Sequence, residues 1–538
     1  MNDELQFPHS EFIVHRSAFI VSFLSFPASC GSIEWMLGQF RDKFLLETVV
    51  FVSGALVMIY EIIGSRLLAP HIGTSTYIWT SLIGVILGSL SVGYWLGGRI
   101  ADRKPDLKIL SGILFFAGAL TTLTLFLQEI ILSILASASA RLELKAIIAA
   151  LVLFAPASVL FGFVTPYAVR LKMLSVEDSG KTVGRLYALS TVGSILGTFA
   201  AGFVLLPFVG SVRSLYLIIA ALFTLSALLG AFQLTTKKLY VLILFAAAIG
   251  LNELYAYSLS RSHDLHDFDT HYSRLRVFRA IDERTRKPMT ALTTDPLTTQ
   301  SAIFLEDDEL VLRYSKFYHL LRHFNPDFQN TLIIGGAGYT FPNEYLRKYP
   351  GKKIDVVEID PQMTEIARRF FRLRDNPQMR IFHADGRVFL NQTTDKYDVA
   401  LVDAFGSVYS VPFQLTTIEA VRKIRDVLTD DGVVILNMIS AIEGEGSLFL
   451  QAEYKTFQTV FPNVYLFKVR AERDDKTPQN LILVASKANE ISPETNDEEI
   501  AALFENAYEK PLPLTVPVLT DDLAPVEYYN SLAQKLAK

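Results

Sequence analysis

Four groups of residues in the C-terminal half have the types and spacing to hold a nucleoside and to move a proton. Gly335-Gly336-Ala337-Gly338 follows an apolar run, and the missing side chains let backbone come close to a ligand. Glu358 stands 20 residues after Gly338, at the end of the next apolar run. A carboxylate there can accept hydrogen bonds from both hydroxyls of a ribose. Asp385 and Gly386 of "HADGR" close a third run and are placed to meet an adenine amino group. Asp403 of "LVDAF" closes a fourth. Singly each is weak, because an aspartate after a strand is often only a helix cap. Together, at successive strand ends, they fit the rule that open parallel sheets bind ligands beyond the carboxyl ends of their strands.

The loop departs from G-x-G-x-x-G, since Gly336 and Gly338 are followed by Phe341, and no G-x-x-x-x-G-K-[ST] is present. It suits an adenosyl sulfonium compound, which carries no phosphate, better than a dinucleotide or a nucleoside triphosphate.

The elements that must position these residues are strands at 331–335, 354–358, 380–383, 398–402, 432–437, 463–469 and 480–485. Helices near 341–349, 361–372, 415–428 and 450–460 separate most of them. Such alternation predicts a mostly parallel sheet covered on both faces, a Rossmann-like domain of methyltransferase type over 314–538. The short "ERDDKTPQN" turn predicts that the last two strands form an antiparallel hairpin. A small β-rich section, 259–313, precedes it with "RLRVFRA", "MTALTTD", "SAIFL" and "ELVLRY", and a helix is expected at 315–324.

The other half of the 538 residues is of another kind. Spanning a bilayer as a helix takes about 20 mostly apolar residues, and such runs lie at 45–67, 75–98, 109–133, 146–168, 186–208, 213–234 and 239–258. This predicts a transmembrane helical domain over 45–258, with an N-terminal extension, 1–44, that holds a weaker apolar patch at 17–31. Gly84/Gly88, Gly93/Gly97 and Gly193/Gly197 have the spacing that lets helices approach closely. Glu61 is a costly carboxylate inside the first run, with Arg66 as a candidate partner. Lys and Arg collect in the loops after the second, fourth and sixth runs, which assigns those loops and the N-terminus to the cytoplasm. Asn252 and Glu253 weaken the seventh run as a span.

The C-terminal residues resemble the spermidine synthase (polyamine aminopropyltransferase) family, from about Asp269 to Tyr529. The "GYTFP" loop and the "TDD-x-APVE" ending are similar to its membrane-bound branch. In that family the glycine loop and the second-strand Glu hold the nucleoside of decarboxylated S-adenosylmethionine, and an Asp-Gly pair meets the adenine. An Asp after the fourth strand deprotonates the attacking amine. The resemblance implies these roles for Gly335, Gly336 and Gly338, for Glu358, for Asp385 with Gly386, and for Asp403 as the catalytic residue. Tyr318-His319 matches a Tyr-His pair lining the amine channel, and Asp295 to Gln300 matches "DGxxQ", which puts Gln300 at the amine. This chain departs from the family at Gly338, where soluble members hold the amine with Asp. It also has Gly406 for a second Asp after the fourth strand and Leu320 for the Glu after Tyr-His. Asp521 and Asp522 of the C-terminal "LTDDLAPVEYY" are candidate replacements at the amine, and read equally well as parts of a helix cap.

The activity implied is transfer of an aminopropyl group from decarboxylated S-adenosylmethionine, as co-substrate, to a polyamine or a diamine such as putrescine, releasing methylthioadenosine. No metal and no permanently bound cofactor are expected. The only cysteine, Cys30, excludes an intrachain disulfide, and the net charge of −5 gives no reason to expect nucleic acid. A lipid bilayer, a small polyamine and a homodimer are the expected partners. A multi-pass protein of the cell inner membrane follows, with the catalytic domain in the cytoplasm where the sulfonium donor is made. Two other readings stay open: a methyltransferase using S-adenosylmethionine itself, and a membrane transporter or sensor whose soluble domain binds without catalysis.

Overall fold

The computed structural model describes residues 30–538 apart from 74, 139, 174, 176–178, 232–235, 295–298, 405–410, 489–493 and 535–538. The 17–31 patch falls almost entirely outside the described residues, as do Asp295 and Gly406.

Helices α1 (Cys30–Ile72), α2 (Thr76–Arg103), α3 (Leu107–Ser137), α4 (Leu142–Leu153), α5 (Ala155–Lys172), α6 (Ser179–Ala200), α7 (Ser211–Ser226) and α8 (Thr236–His263) build the N-terminal half. Five of these segments are long and apolar enough to cross a membrane, or six if the bent pair α4–α5 counts as one span. The seven expected spans therefore need correction in two places. The run at 146–168 is not straight: it bends by 55° at Phe154. Pro156 opens α5 and has no N–H to carry the ladder through. The break frees the Leu153 carbonyl, which accepts from the hydroxyls of Tyr60 (3.1 Å) and Thr124 (2.6 Å). In an apolar surrounding such a carbonyl needs a partner, and the bundle supplies two. The run at 239–258 sits in α8, whose apolar stretch, Leu239–Tyr255, is shorter than those of the other spans. The whole helix nevertheless runs back along α7, Phe245 against Phe223 and Asn252 against Tyr216, from the sixth loop to the end that carries the soluble half.

Small residues set the helix spacing. A Cβ at Gly97 would lie 2.7 Å from the Phe163 backbone, and one at Gly93 would strike Val159, so α2 and α5 touch there. Gly193 and Gly197 meet Phe51 and Ala55 of α1 in the same way. Among the described residues nothing lies within 4 Å of a Cβ built at Gly84 or Gly88, so this pair brings no second helix close. Arg66 does not pair with Glu61; its guanidinium donates to the His271 carbonyl at 2.7 Å.

The C-terminal half begins with an antiparallel sheet, β1 (His266–Asp269), β2 (Arg274–Ile281), β3 (Pro288–Thr293) and β4 (Thr299–Phe304). The expected strand "ELVLRY" is absent as a strand, since Arg313 starts three short helical turns, Arg313–Lys316, Phe317–Leu320 and Leu321–Phe324. A seven-stranded sheet follows, made of β5 (Asn330–Ile334), β6 (Lys353–Glu358), β7 (Met379–His383), β8 (Tyr397–Val402), β9 (Leu428–Ser440), β10 (Asn463–Lys468) and β11 (Gln479–Ser486). Its order is β10-β11-β9-β8-β5-β6-β7, with β5 to β9 parallel and the last two strands antiparallel, as predicted. Helices α9 (Thr340–Lys348), α10 (Pro361–Phe370), α11 (Gly386–Gln392), α12 (Ile418–Val427), α13 (Leu448–Val460), α14 (Glu498–Phe504) and α15 (Val526–Gln534) complete the domain. Alternate residues along the strands feed two cores. Leu332, Ala400 and Leu436 face one, while Ile333, Leu401 and Ile435 face the other.

The soluble half is seated on one end of the helical bundle. Asp269 accepts from the Ser211 amide (2.7 Å) and hydroxyl (2.6 Å), and Glu527 accepts from the Thr76 amide (3.0 Å). Both carboxylates sit at N-termini of bundle helices, where the helix dipole favours negative charge. Glu129 of α3 accepts from His71 at 3.1 Å and lies 3.7 Å from Arg276 of β2. All these contacts are at the ends joined by the first, third and fifth loops. The Lys- and Arg-rich loops lie at the opposite ends of the same helices. The two topological expectations, basic loops in the cytoplasm and catalytic domain in the cytoplasm, therefore cannot both hold. Reporters inserted after Lys104 and fused after Lys538 are expected to report opposite faces of the membrane. The same face from both would contradict this arrangement of helices.

Candidate active site

The parallel ladder brings the sequence-predicted residues into one row. Along the carboxyl edge, in strand order, stand Asp385 after β7, Glu358 at the end of β6, the glycine loop after β5 and Asp403 after β8. Register ties the middle of this row together. Ile334 pairs with Val402, the Asp403 amide donates to the Ile334 carbonyl (2.8 Å), and the Gly335 amide donates to the Val357 carbonyl (2.9 Å). Gly335 has φ +103°, and a Cβ on it would lie 2.5 Å from the Asp403 carbonyl oxygen. Only glycine meets both demands.

The loop is held from below by Glu358. One carboxylate oxygen accepts from the amides of Gly336 and Ala337, both at 2.9 Å, and the other accepts from Asp360 at 2.9 Å. Burial pushes its carboxyl above the usual range, and the three amide donors oppose that rise. A carboxylate offers about four acceptor positions, so about one is left for a ligand. The expectation that Glu358 takes both ribose hydroxyls narrows here to one.

Asp403 is held by side chains. Asn437 of β9 donates to one carboxylate oxygen at 3.0 Å, and the Tyr314 hydroxyl donates to the other at 3.3 Å. The Tyr318 hydroxyl is buried beside the same carboxylate without a regular hydrogen bond. Loss of water raises the Asp403 carboxyl to about 6, and the amide and two phenols hold it from going higher. Burial, and then the Asp403 charge, keep both phenols well above their ordinary range, so they remain donors. A cavity of about 20 Å³, room for about one water, is lined by Gln300, Ser301, Tyr314, Gly335, Gly336 and Asp403. It adjoins a groove of about 900 Å³ that Gln300, Tyr314, Asn437 and Asn480 share.

Three expected amine contacts lie elsewhere. His319 points its Nδ1 to the Tyr349 hydroxyl (2.7 Å), and burial pushes the imidazole down to about 3, so it is a neutral core residue. It follows Tyr318 by about 120° around a 3-10 turn, which turns it from Asp403. Asp521 is taken by Arg387 (2.8 Å) and Thr417 (2.6 Å), beside the Asp385-Gly386 turn. Asp522 is exposed. Asp385 caps α11 by accepting from Val388 at 3.0 Å, and a Cβ on Gly386 would press on Ile334 at 2.6 Å.

Sequence reasoning missed Tyr314, Asn437, Asn480 and Ser301. Only Tyr314 left a signal: it precedes Tyr318 by four residues and so shares its helical face. Ser301 explains the departure at Gly338. Its hydroxyl accepts from the Gly338 amide (2.8 Å), and a Cβ at Gly338 would lie 2.6 Å from Ser301 and 3.0 Å from Phe371. An aspartate has no room there.

The description "Spermine/spermidine synthase domain" matches residues 312–471, a range that holds the glycine loop, Glu358, Asp385, Asp403, Tyr314 and Asn437. A polyamine aminopropyltransferase of Vibrio vulnificus is 28% identical over 268 residues, covering 49% of this chain and 86% of that protein. Polyamine aminopropyltransferase 1 of Streptomyces coelicolor is 25% identical over 427 residues, covering 73% of this chain and 75% of that one. The second match is longer than the soluble half, so it reaches into the helical half. A solved structure of a probable spermidine synthase from Corynebacterium glutamicum covers 43% of this chain and 82% of its own, at 21% identity and a TM-score of 0.37.

Gly338→Asp is expected to lower stability by about 1–3 kcal/mol through overpacking, read as a fall in the thermal unfolding midpoint. Adding Ser301→Gly should recover most of the loss.

Proposed function

We propose that the protein, whose residues 312–471 match a spermine/spermidine synthase domain, moves an aminopropyl group from decarboxylated S-adenosylmethionine to a diamine or polyamine such as putrescine. The observation that carries this reading is the Asp403 carboxylate, held by neutral donors next to the glycine loop with its carboxyl at about 6.

The sulfonium is already a good leaving group, so the protein has to align the reactants and free an amine lone pair. Alignment can contribute about 7–11 kcal/mol. Taking a proton from an ammonium of pKa about 10.4 costs about 9 kcal/mol with an ordinary aspartate and about 6 kcal/mol with one at 6. Asp403 is thus a better base than a free carboxylate by about two units, while staying about nine-tenths ionised at pH 7. The acceptor N–H bond breaks as the O–H bond forms on Asp403. The lone pair then attacks the carbon next to sulfur, and the C–S pair leaves on methylthioadenosine.

The row of residues divides between the two substrates. Asp385, Gly386 and Glu358 would take the adenine and ribose, and the backbone of Gly335 to Gly338 would lie against the sulfonium arm. Gln300, Tyr314 and Tyr318 would line the amine beside Asp403. The long apolar helices support the reading of a multi-pass membrane chain. Most of its exposed large apolar side chains, such as Trp95, Phe116, Phe203 and Phe208, belong to those helices and suit lipid contact.

The test is incubation of the full chain with either sulfonium donor and putrescine, followed by mass spectrometry. Methylthioadenosine formed only from the decarboxylated donor, and lost by a factor of about 10² or more in Asp403→Asn, is the expected result. S-adenosylhomocysteine would make the protein a methyltransferase, and binding without turnover a sensor or transporter. Because the base must be ionised, kcat should fall as pH drops through about 6, and hold above it until the acceptor's own titration intervenes.

A further inference from the structure

We propose that Asn480 and Asn437 form a two-amide relay that decides which oxygen of Asp403 takes the proton, making both of them positioning residues. This rests on the reading of Asp403 as the base. The Asn480 Nδ2 donates to the Asn437 Oδ1 at 3.0 Å, and the Asn437 Nδ2 donates to the Asp403 Oδ1 at 3.0 Å. The three residues sit on neighbouring strands and on one face of the sheet, Asn480 on β11, Asn437 on β9 and Asp403 just past β8. Asn437 is fully buried, so its amide has no water to turn to.

A carboxamide has one acceptor end and one donor end. Once Asn480 occupies the acceptor end, Asn437 must present N–H to Asp403. Turning both amides round would set two acceptor oxygens 3.0 Å apart while Asp403 is ionised, which is repulsive. The Asp403 Oδ1 therefore faces a partner that can only donate, whereas the partner of Oδ2, the Tyr314 hydroxyl, can turn and accept, so the proton goes to Oδ2. That oxygen faces Tyr314, whose ring lines both the small cavity and the open groove, so the proton is taken on the side from which an amine arrives. Asn480 is half-buried and lines the groove. It acts on Asp403 only through Asn437.

The experiment uses the full-length protein in detergent. The Asp403 carboxyl band is followed by pH-difference infrared spectroscopy and assigned by its loss in Asp403→Asn. In Asn480→Ala the Asn437 amide loses the donor that fixes its orientation, so its hydrogen bond to the ionised Asp403 weakens and the titration midpoint should rise by about half a unit to one unit. The acid limb of kcat should rise with it, while KM for the donor holds. If the alanine variant fails to fold, Asn480→Asp, nearly equal in volume, should move the midpoint further up, because it adds a negative charge. A midpoint that stays in place overturns the relay, whether or not the protein makes methylthioadenosine. A shifted midpoint in a protein that makes none upholds the relay and overturns the reading of the reaction.

Discussion

The parallel pairing of β5 with β8 is the constraint on which the site depends. After β5 the chain turns to one side to lay down β6 and β7, then crosses back to place β8 on the other. Two loops thus leave in opposite directions from neighbouring strand ends, and a crevice opens between them. Gly335 occupies one lip and Asp403 the other, so close that a single methyl group would part them. The proposed donor side of the row and the proposed acceptor side meet at that contact.

The two carboxylates of the row are handled by different means. Glu358 is surrounded by backbone amides, which belong to the loop and come with its turn. Asp403 is surrounded by side chains drawn from a helical turn and a distant strand. The first arrangement stiffens a cradle. The second leaves a carboxylate short of water yet in touch with neutral donors, which raises its basicity without neutralising it. At Gly338, where the family resemblance leads one to expect a charged side chain, a serine hydroxyl holds the loop and fills the space.

The fold was legible from the alternation of apolar strands and amphipathic helices, and the row of Asp385, Glu358, Gly335 and Asp403 from their places at strand ends. Both are local properties of the chain. Asn437 and Asn480 could not be seen, because nothing in "VVILNMIS" or "PQNLILV" marks an amide that will face another strand's end. His319 misled for the opposite reason: it is next to Tyr318 in the chain but turned toward Tyr349 in the fold. The C-terminal acids read equally as caps or ligands, and Glu527 went to a helix N-terminus while Asp521 met Arg387. Among the spans, hydropathy alone gave no warning of the bend at Phe154, although Pro156 stood in the run.

The two carboxylates that reach from the soluble half to the bundle bear on the order of assembly. Asp269 serves the N-terminus of α7, made some 58 residues earlier, and Glu527 serves α2, made 451 residues earlier. While the chain is being synthesised those helix ends stand open, and Thr76 waits for its acceptor until nearly all of the chain exists. The bundle and the soluble half are thus finished by the same late event. A protein truncated before α15 would carry all its spans and still leave one helix end exposed to whatever surrounds it.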